Sequence, residues 1–201
     1  MIKAVVFDLD GTLTRPLLDF KRIRAEIGVP FGKQSLLDQI EPMTEAEQAR
    51  AHAILEKHER RAAQNAQVNE GVNELLAYLK SHGVPCAIVT RNSAQSTEFV
   101  VATLGIEVER IITRDSDLPI KPDPAALLSL MRSWSVAPEE VLMVGDFRYD
   151  VECGKAAGAI TCFIDNGLEA SDDGGPTYRV GYPGEVILLL KQLGHYSRGS
   201  G

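Results

Sequence analysis

The chain has 201 residues, of which 44% are hydrophobic and 24% are charged, and its formal net charge is −7 at pH 7. This length is sufficient for one main domain with a full hydrophobic core and a small insertion. The acidic balance argues against non-specific binding to nucleic acid or to an anionic membrane surface.

The three cysteines, Cys86, Cys153 and Cys162, lack CxxC spacing, so neither a disulfide framework nor a zinc site is expected. Cys86 and Cys162 lie in apolar, strand-like segments, which predicts reduced core residues. The chain begins directly with a strand and shows neither a signal-peptide pattern nor an apolar run of membrane-spanning length. We therefore expect a cytoplasmic protein with no membrane partner. The oligomeric state stays open, and a monomer is compatible with the sequence.

The first predicted strand, Ile2–Phe7, ends in two aspartates. Asp8 and Asp10 follow it, and Gly11 and two threonines come close behind. Alternation along a strand aims positions 8 and 10 the same way, and unpaired carboxylates are costly there unless a cation or reactant occupies the site. The pattern predicts the floor of a metal and phosphate site. The alternative is an ordinary buried strand followed by an Asp-Gly turn.

Residues 15–70 contain no convincing strand. Their apolar spacing predicts helices over residues 17–27, 35–40 and 45–65. Thr44 and Glu47 form a capping box, which favours a helix start at residue 45. An all-helical insertion directly after the first strand is expected to act as a cap over the end of that strand.

From residue 71 onward, helical and strand patterns alternate. They predict helices over Val72–Ser81, Ser93–Leu104, Asp123–Ser133, a segment ending at Gly158, and Pro183–Leu190, and strands over Cys86–Val89, Arg110–Thr113, Val141–Val144 and Ile160–Ile164. This alternation predicts an α/β fold with a Rossmann-like, doubly wound parallel sheet. The glycine-rich segment 167–175 is expected to be a flexible loop. The predicted domains are a core of residues 1–14 and 71–192, a helical cap of 15–70 and a disordered tail of 193–201.

Ligands of such sheets bind beyond the carboxyl ends of the strands, and three further polar fragments fall there. They are Thr90 with Arg91 and Asn92, Lys121 in a loop ahead of a helix, and Gly145-Asp146 with Asp150. Each has a plain structural explanation as a strand end, a solvated lysine, a turn residue or a helix cap. Together those explanations require four coincidences in order along the chain.

The ordered set, beginning with Asp8-Leu9-Asp10-Gly11-Thr12, resembles the motifs of the haloacid dehalogenase-like hydrolase superfamily, in particular its phosphatase-type members with a helical cap. The Lys-Pro-x-Pro form of the third motif is similar to that of phosphoglycolate phosphatase-like enzymes. The resemblance covers the chain to about residue 190. It implies a Mg²⁺-dependent phosphatase that acts on a small phosphorylated metabolite through an aspartyl-phosphate.

The resemblance also implies residue roles. Asp8 would be the nucleophile and Asp10 the general acid and base. Thr90 and Lys121 complete the catalytic set. Substrate binding falls to Gly11, Thr90, Arg91, Asn92 and Lys121, and Mg²⁺ binding to Asp8, Asp10 (through its carbonyl), Asp146 and Asp150. Four carboxylates against one lysine would repel a phosphate monoester unless a divalent cation were bound.

Some positions depart from the usual family pattern. Phe147 stands where many relatives carry a small polar residue, and Gly154 replaces a more usual alanine. Arg91 fits either a second anionic group of the substrate or a structural ion pair. None of these departures removes a predicted catalytic group. They bear on the identity of the substrate, which the sequence does not specify. A sugar-phosphate mutase and a non-catalytic binding module stay as alternatives, whereas the acid and base role of Asp10 disfavours a dehalogenase.

Overall fold

The computed structural model describes residues 1–16, 18–32, 34–166 and 175–194. Contacts within the chain divide it into two compact units, one formed by Met1–Pro16 with Gln67–Gly201 and the other by Leu17–Ala66. The second unit covers nearly the same stretch as the predicted cap of residues 15–70, and its role as a cap stays a prediction.

The first unit contains a six-stranded, all-parallel sheet. Its strands are β1 (Ala4–Phe7), β2 (Cys86–Val89), β3 (Arg110–Ile112), β4 (Val141–Gly145), β5 (Ile160–Ile164) and β6 (Tyr178–Val180). Their order is β3-β2-β1-β4-β5-β6, which confirms the predicted doubly wound α/β fold. The order reverses between β1 and β4, where Val6 pairs with Met143. The carboxyl ends of these two strands therefore lie side by side at the position where such sheets bind ligands.

The helices of the described residues follow the predicted alternation. They are α1 (Phe20–Ile27), α2 (Leu36–Ile40), α3 (Glu45–Gln64), α4 (Val72–Ser81), α5 (Ala94–Leu104), α6 (Ala125–Trp134), α7 (Arg148–Ala156) and α8 (Val186–Leu193), with short 3-10 turns at Pro138–Glu140 and Pro183–Glu185. Predicted and observed bounds agree within a few residues, because caps such as Ser93 stand where the sequence predicts them.

Alternate strand residues bury both faces of the sheet. On one face, Val6 and Met143 belong to an apolar cluster with Leu127 of α6 and Cys153 of α7. Val5 lies between Ala4 and Val6, which both belong to this cluster. Its side chain therefore points to the other face of the sheet, where it is also fully buried. A sheet buried on both sides is rigid, which fixes the backbone at its carboxyl edge.

The second unit has its own apolar core. Ile23 of α1, Leu36 and Ile40 of α2, and Ala51 and Leu55 of α3 form one buried cluster. The predicted capping box of α3 is confirmed: Thr44 Oγ1 accepts from the Glu47 N–H at 3.4 Å, and the Glu47 carboxylate accepts from the Thr44 N–H at 3.0 Å.

Two parts of the chain differ from the sequence-based expectation. Strand β6 is not predicted, because it has only three residues with the exposed Arg179 at its centre, and it pairs with β5 alone. The last helix begins at Val186, after the 3-10 turn, and continues to Leu193. The predicted loop 167–175 and the predicted tail fall outside the described residues except for Gly175, Leu193 and Gly194.

All three cysteines are buried free thiols, as predicted for Cys86 and Cys162. Burial raises the pKa of each thiol to about 12. Within the described part of the chain, every helix is too short or too polar to cross a bilayer.

Gly154 of α7 permits close packing on the sheet. A Cβ added there would lie 2.4 Å from Thr161 Cγ2 and 3.2 Å from Met143 Cβ. Although alanine favours helix by about 1 kcal/mol over glycine, overpacking costs about 1–3 kcal/mol. The balance of the two effects is a loss, and we expect Gly154→Ala to lower the free energy of unfolding in urea by about 1 kcal/mol and by at most about 2 kcal/mol. Adding Thr161→Ser, which removes the clashing methyl group, should recover part of the loss, and no recovery would contradict this account.

Candidate active site

The loop after β1 runs close to the neighbouring strand β4 and to Asp146, which follows that strand. The Asp8 N–H donates to the Val144 carbonyl at 2.9 Å and so extends the pairing of β1 with β4. Gly11 then turns the chain with φ +79°, and a Cβ on it would lie 1.9 Å from Asp146 Oδ2. Glycine is therefore required here both for the backbone conformation and for the approach of Asp146.

Lys121 is the buried cation of this site. Its side chain is 2% exposed, and its Nζ donates to Asp8 Oδ1 at 2.5 Å and to Asp150 Oδ1 at 2.6 Å. Burial alone would lower the pKa of Lys121, but the Asp150 and Asp8 carboxylates raise it above its usual value. The ammonium group therefore stays charged and links β1 to the start of α7.

Asp150 is fixed from two further directions. Its Oδ2 accepts from the Phe147 N–H at 3.0 Å, which caps the first turn of α7. A Cβ on Gly145 would lie 2.2 Å from the Asp150 carboxyl carbon, so the glycine that ends β4 makes room for this side chain.

Asp8, Asp146 and Asp150 form one cluster. Each offers a carboxylate oxygen, and these atoms lie within 4.8 Å of one another. Burial, together with the Asp8 and Asp150 charges, raises the pKa of Asp146 well above its usual value. Burial raises the pKa of Asp150 to about 6, although Lys121 opposes the shift. The cluster is therefore short of positive charge.

The donor set suits a magnesium ion. Mg²⁺ takes oxygen ligands, commonly including one or two carboxylates. When all three carboxylates of the cluster are ionised, they carry two more negative charges than Lys121 neutralises, and a divalent cation would balance that excess. Thr12 Oγ1 donates to Asp146 Oδ1 at 3.2 Å and orients that carboxylate. The predicted contribution of the Asp10 carbonyl as a ligand stays a prediction.

The Asp10 side chain has different partners. Its Oδ1 accepts from Thr14 Oγ1 at 3.2 Å and its Oδ2 from Asn92 Nδ2 at 2.6 Å. Thr90 lies two residues before Asn92, is 4% exposed, and accepts the Asn92 N–H on its Oγ1 at 3.2 Å. The structure thus brings Asp10 and the end of β2 together.

Arg91 contacts the protein rather than projecting alone. Its Nη1 donates to the Lys121 carbonyl at 2.5 Å, and its guanidinium lies 4.9 Å from the centre of the Tyr149 ring. These contacts steady the loop that carries Lys121, and the choice between a substrate contact and a structural ion pair stays a prediction. The predicted substrate contacts of Gly11, Thr90, Arg91, Asn92 and Lys121 stay predictions.

Two asparagines that the sequence does not single out support the loop after β1. Asn69 Nδ2 lies 3.3 Å from the Gly11 carbonyl and 3.0 Å from Asn166 Oδ1, and Asn166 Nδ2 donates to the same Gly11 carbonyl at 2.8 Å. An isolated asparagine in a loop is usually a turn residue. Both Asn69 and Asn166 contact Gly11, which is 58 and 155 residues away in sequence, so no local pattern indicates their role.

Residues 2–158 match the family model of the haloacid dehalogenase-like hydrolases. The chain belongs to this hydrolase family. The predicted resemblance is thereby confirmed, and the gathering of Asp8, Lys121, Asp146 and Asp150 at the switch point of the sheet is the arrangement that the motifs imply.

Individual relatives agree with the family membership. A haloacid dehalogenase-like hydrolase domain-containing protein of Arabidopsis thaliana is 34% identical over 187 residues, which cover 86% of this chain and 75% of the plant protein. A phosphoglycolate phosphatase of Nitrosococcus oceani is 30% identical over 178 residues, covering 76% of this chain and 79% of that enzyme. The crystal structure of a hydrolase from Pseudomonas syringae has the same fold, with a TM-score of 0.79 at 20% identity, over 95% of this chain and 99% of that one.

Removing one charge from the cluster should separate metal binding from folding. In EDTA at neutral pH, we expect Asp146→Asn to raise the melting temperature. Desolvation and the Asp8 and Asp150 charges disfavour the ionised form of Asp146, which the unfolded chain carries at this pH, and the amide removes that cost. Relief of one to two kcal/mol corresponds to about 2–8 °C for a domain of this size. The stabilisation that Mg²⁺ gives the wild-type protein should shrink in the variant.

The matched control for this measurement is Glu139→Gln, an exposed carboxylate at the opposite, amino end of β4. The melting temperatures of Glu139→Gln in EDTA and in Mg²⁺ should both equal those of the wild-type protein. A Mg²⁺-induced shift in Asp146→Asn as large as that of the wild type would exclude the cluster as the site of the ion.

Replacing Lys121 by methionine should destabilise the fold. The change leaves the buried Asp150 and its neighbour Asp8 without their cation, and breaking a buried ion pair in this way costs about 3–5 kcal/mol. The double variant Lys121→Met/Asp150→Asn should lose less, because one orphaned charge is gone. Denaturant unfolding measures both, with the exposed Lys57→Met as control. Equal losses in the single and double variants would argue against a charge effect.

Proposed function

We propose that this protein is a Mg²⁺-dependent phosphatase that hydrolyses a small phosphorylated metabolite through a phosphorylated Asp8. The observation that carries the proposal is the difference between the partners of the two aspartates. Asp8 contacts the buried ammonium of Lys121, whereas Asp10 accepts hydrogen bonds from the neutral side chains of Thr14 and Asn92. One carboxylate is thus paired with a cation, as suits a nucleophile, and the other lies against neutral donors, as suits a group that gives and takes a proton.

In the first half of the proposed reaction, an Asp8 carboxylate oxygen attacks phosphorus, and the bond from phosphorus to the ester oxygen breaks. Asp10 gives its proton to the departing oxygen, so that the product leaves as a neutral alcohol. Lys121 lies against Asp8 and offsets negative charge as the phosphoryl group is transferred.

In the second half, Asp10 takes a proton from water as the water oxygen attacks phosphorus. The bond between phosphorus and Asp8 breaks, inorganic phosphate is released, and both aspartates return to their starting states. Asp8, Asp146 and Asp150 would bind Mg²⁺, which supplies charge neutralisation for the phosphoryl oxygens when bound.

The class of substrate follows from the chemistry of the site and from the relatives. A phosphomonoester fits a reactive carboxylate beside one buried lysine, and one relative carries the name phosphoglycolate phosphatase. We infer a small phosphorylated metabolite, with phosphoglycolate as the first compound to test. The helical unit of residues 17–66 is proposed to act as the cap that governs substrate choice.

The test measures release of phosphate from 4-nitrophenyl phosphate and from a panel of small phosphomonoesters, with Mg²⁺ and with EDTA. We expect activity only with Mg²⁺ and a loss of at least about 10³-fold in Asp8→Asn, because the nucleophile is then an amide. Glu139→Gln should keep wild-type activity. Rapid quenching with mass spectrometry should detect phosphate on the wild-type protein during turnover.

Other outcomes would replace the proposal. Isomerisation of a hexose phosphate without net phosphate release would indicate a mutase. Inactivity of the wild-type protein on the whole panel, with Mg²⁺ binding intact, would indicate a binding module. Activity retained in Asp8→Asn would exclude the aspartyl-phosphate.

A further inference from the structure

The Asn92 side chain is directed at the Asp10 carboxylate rather than outward. Its Nδ2 donates to Asp10 Oδ2 at 2.6 Å, across 82 residues of sequence. The other oxygen, Oδ1, accepts from Thr14 Oγ1 at 3.2 Å within the same loop. Both oxygens of Asp10 are therefore oriented by neutral donors from two different segments.

The backbone of Asn92 is itself fixed by its neighbours. Its N–H donates to Thr90 Oγ1 at 3.2 Å, and its carbonyl accepts from the Arg114 N–H at 3.1 Å. Arg114 follows β3, and Ser93 caps α5 directly after Asn92. The amide is thus aimed by the ends of two strands and the start of a helix, which makes it a rigid support.

We propose that Asn92 is a positioning residue that orients Asp10 for proton transfer. This inference rests on the proposed function, since it concerns the group that delivers the proton to the leaving oxygen. Each donor on a carboxylate oxygen restricts rotation about the Cβ–Cγ bond, and donors on opposite oxygens together define the plane of the group. A displacement of about 1 Å at a reacting group can cost about 10²-fold in rate.

The chemistry of the amide also favours one oxygen as the proton carrier. The Asn92 nitrogen has only hydrogens to offer, so Asp10 Oδ2 serves as an acceptor in this contact. The Thr14 hydroxyl can donate or accept, so Oδ1 can carry a proton without losing its partner. With Oδ2 held as an acceptor by Asn92, Asp10 carries its proton on Oδ1 and delivers it to the leaving oxygen from there.

The test compares two leaving groups in a single turnover. 4-Nitrophenolate departs without a proton, whereas the alkoxide of an alkyl phosphate requires one. In Asn92→Ala, we expect the first-turnover rate on the best alkyl phosphate of the panel to fall by about 10- to 100-fold. At saturating substrate, the first-turnover release of 4-nitrophenolate should fall by a clearly smaller factor than the rate on the alkyl phosphate, because that step needs no acid.

Three further variants make the result specific. Asn92→Leu keeps a side chain of similar size but removes the donor, and it should show the same dependence on the leaving group. Asp10→Ala should show it more strongly, since the acid itself is gone. The exposed Asn73→Ala on α4 is the matched control and should match wild type on both substrates.

A general structural role for Asn92 would reduce both first-turnover rates by the same factor, and that result would overturn the inference. Full activity of Asn92→Ala on the alkyl phosphate would also overturn it, with the proposed function intact. A wild-type protein that releases neither 4-nitrophenolate nor phosphate would overturn the proposed function and this inference together.

Discussion

The contact of one buried ammonium with two carboxylates is the constraint on which the site depends. Lys121 joins Asp8, at the end of β1, to Asp150, in the first turn of α7. A buried charge without its partner is strongly destabilising, so the same interaction stabilises the fold and fixes the Asp8 carboxylate. The Arg91 contact with the Lys121 carbonyl extends this support to the end of β2. Three segments distant in sequence are thereby fixed around the Asp8 carboxylate.

Missing side chains matter as much as the side chains present. Gly11 and Gly145 leave the space into which the Asp146 and Asp150 carboxylates fit. The strand order reverses between β1 and β4. Gly11 lies just after β1 and Gly145 ends β4, so both glycines lie at the point of the sheet where the crossover helices leave the edge open. Topology, backbone space and charge therefore coincide at a single location.

Much of this arrangement is readable from the sequence because its signals are local. The signals for a strand or a helix start lie within the element itself or next to it. Examples are the apolar run of strand Cys86–Val89 and the capping box at Thr44. The polar residues of the site likewise come directly after the strands. The Asn92 contact with Asp10 and the paired amides of Asn69 and Asn166 are different. Their partners are 58 to 155 residues away, and a neutral amide in a loop carries no periodic or charge pattern. Strand β6 escaped prediction for a related reason, since its stability derives from pairing with β5 rather than from its own three residues.

The buried thiol of Cys153 has a practical consequence for chemical modification. It lies one helical turn beyond Asp150, with its Sγ donating to the Asp123 carbonyl at 3.4 Å, and its pKa is raised to about 12 by burial. A thiol with so little thiolate and no exposure is inert towards alkylating and oxidising reagents. Electrophiles should therefore reach it only when α7 separates from the sheet. The rate of that reaction then measures how often the structure opens locally beside the cluster of Asp8, Asp146 and Asp150.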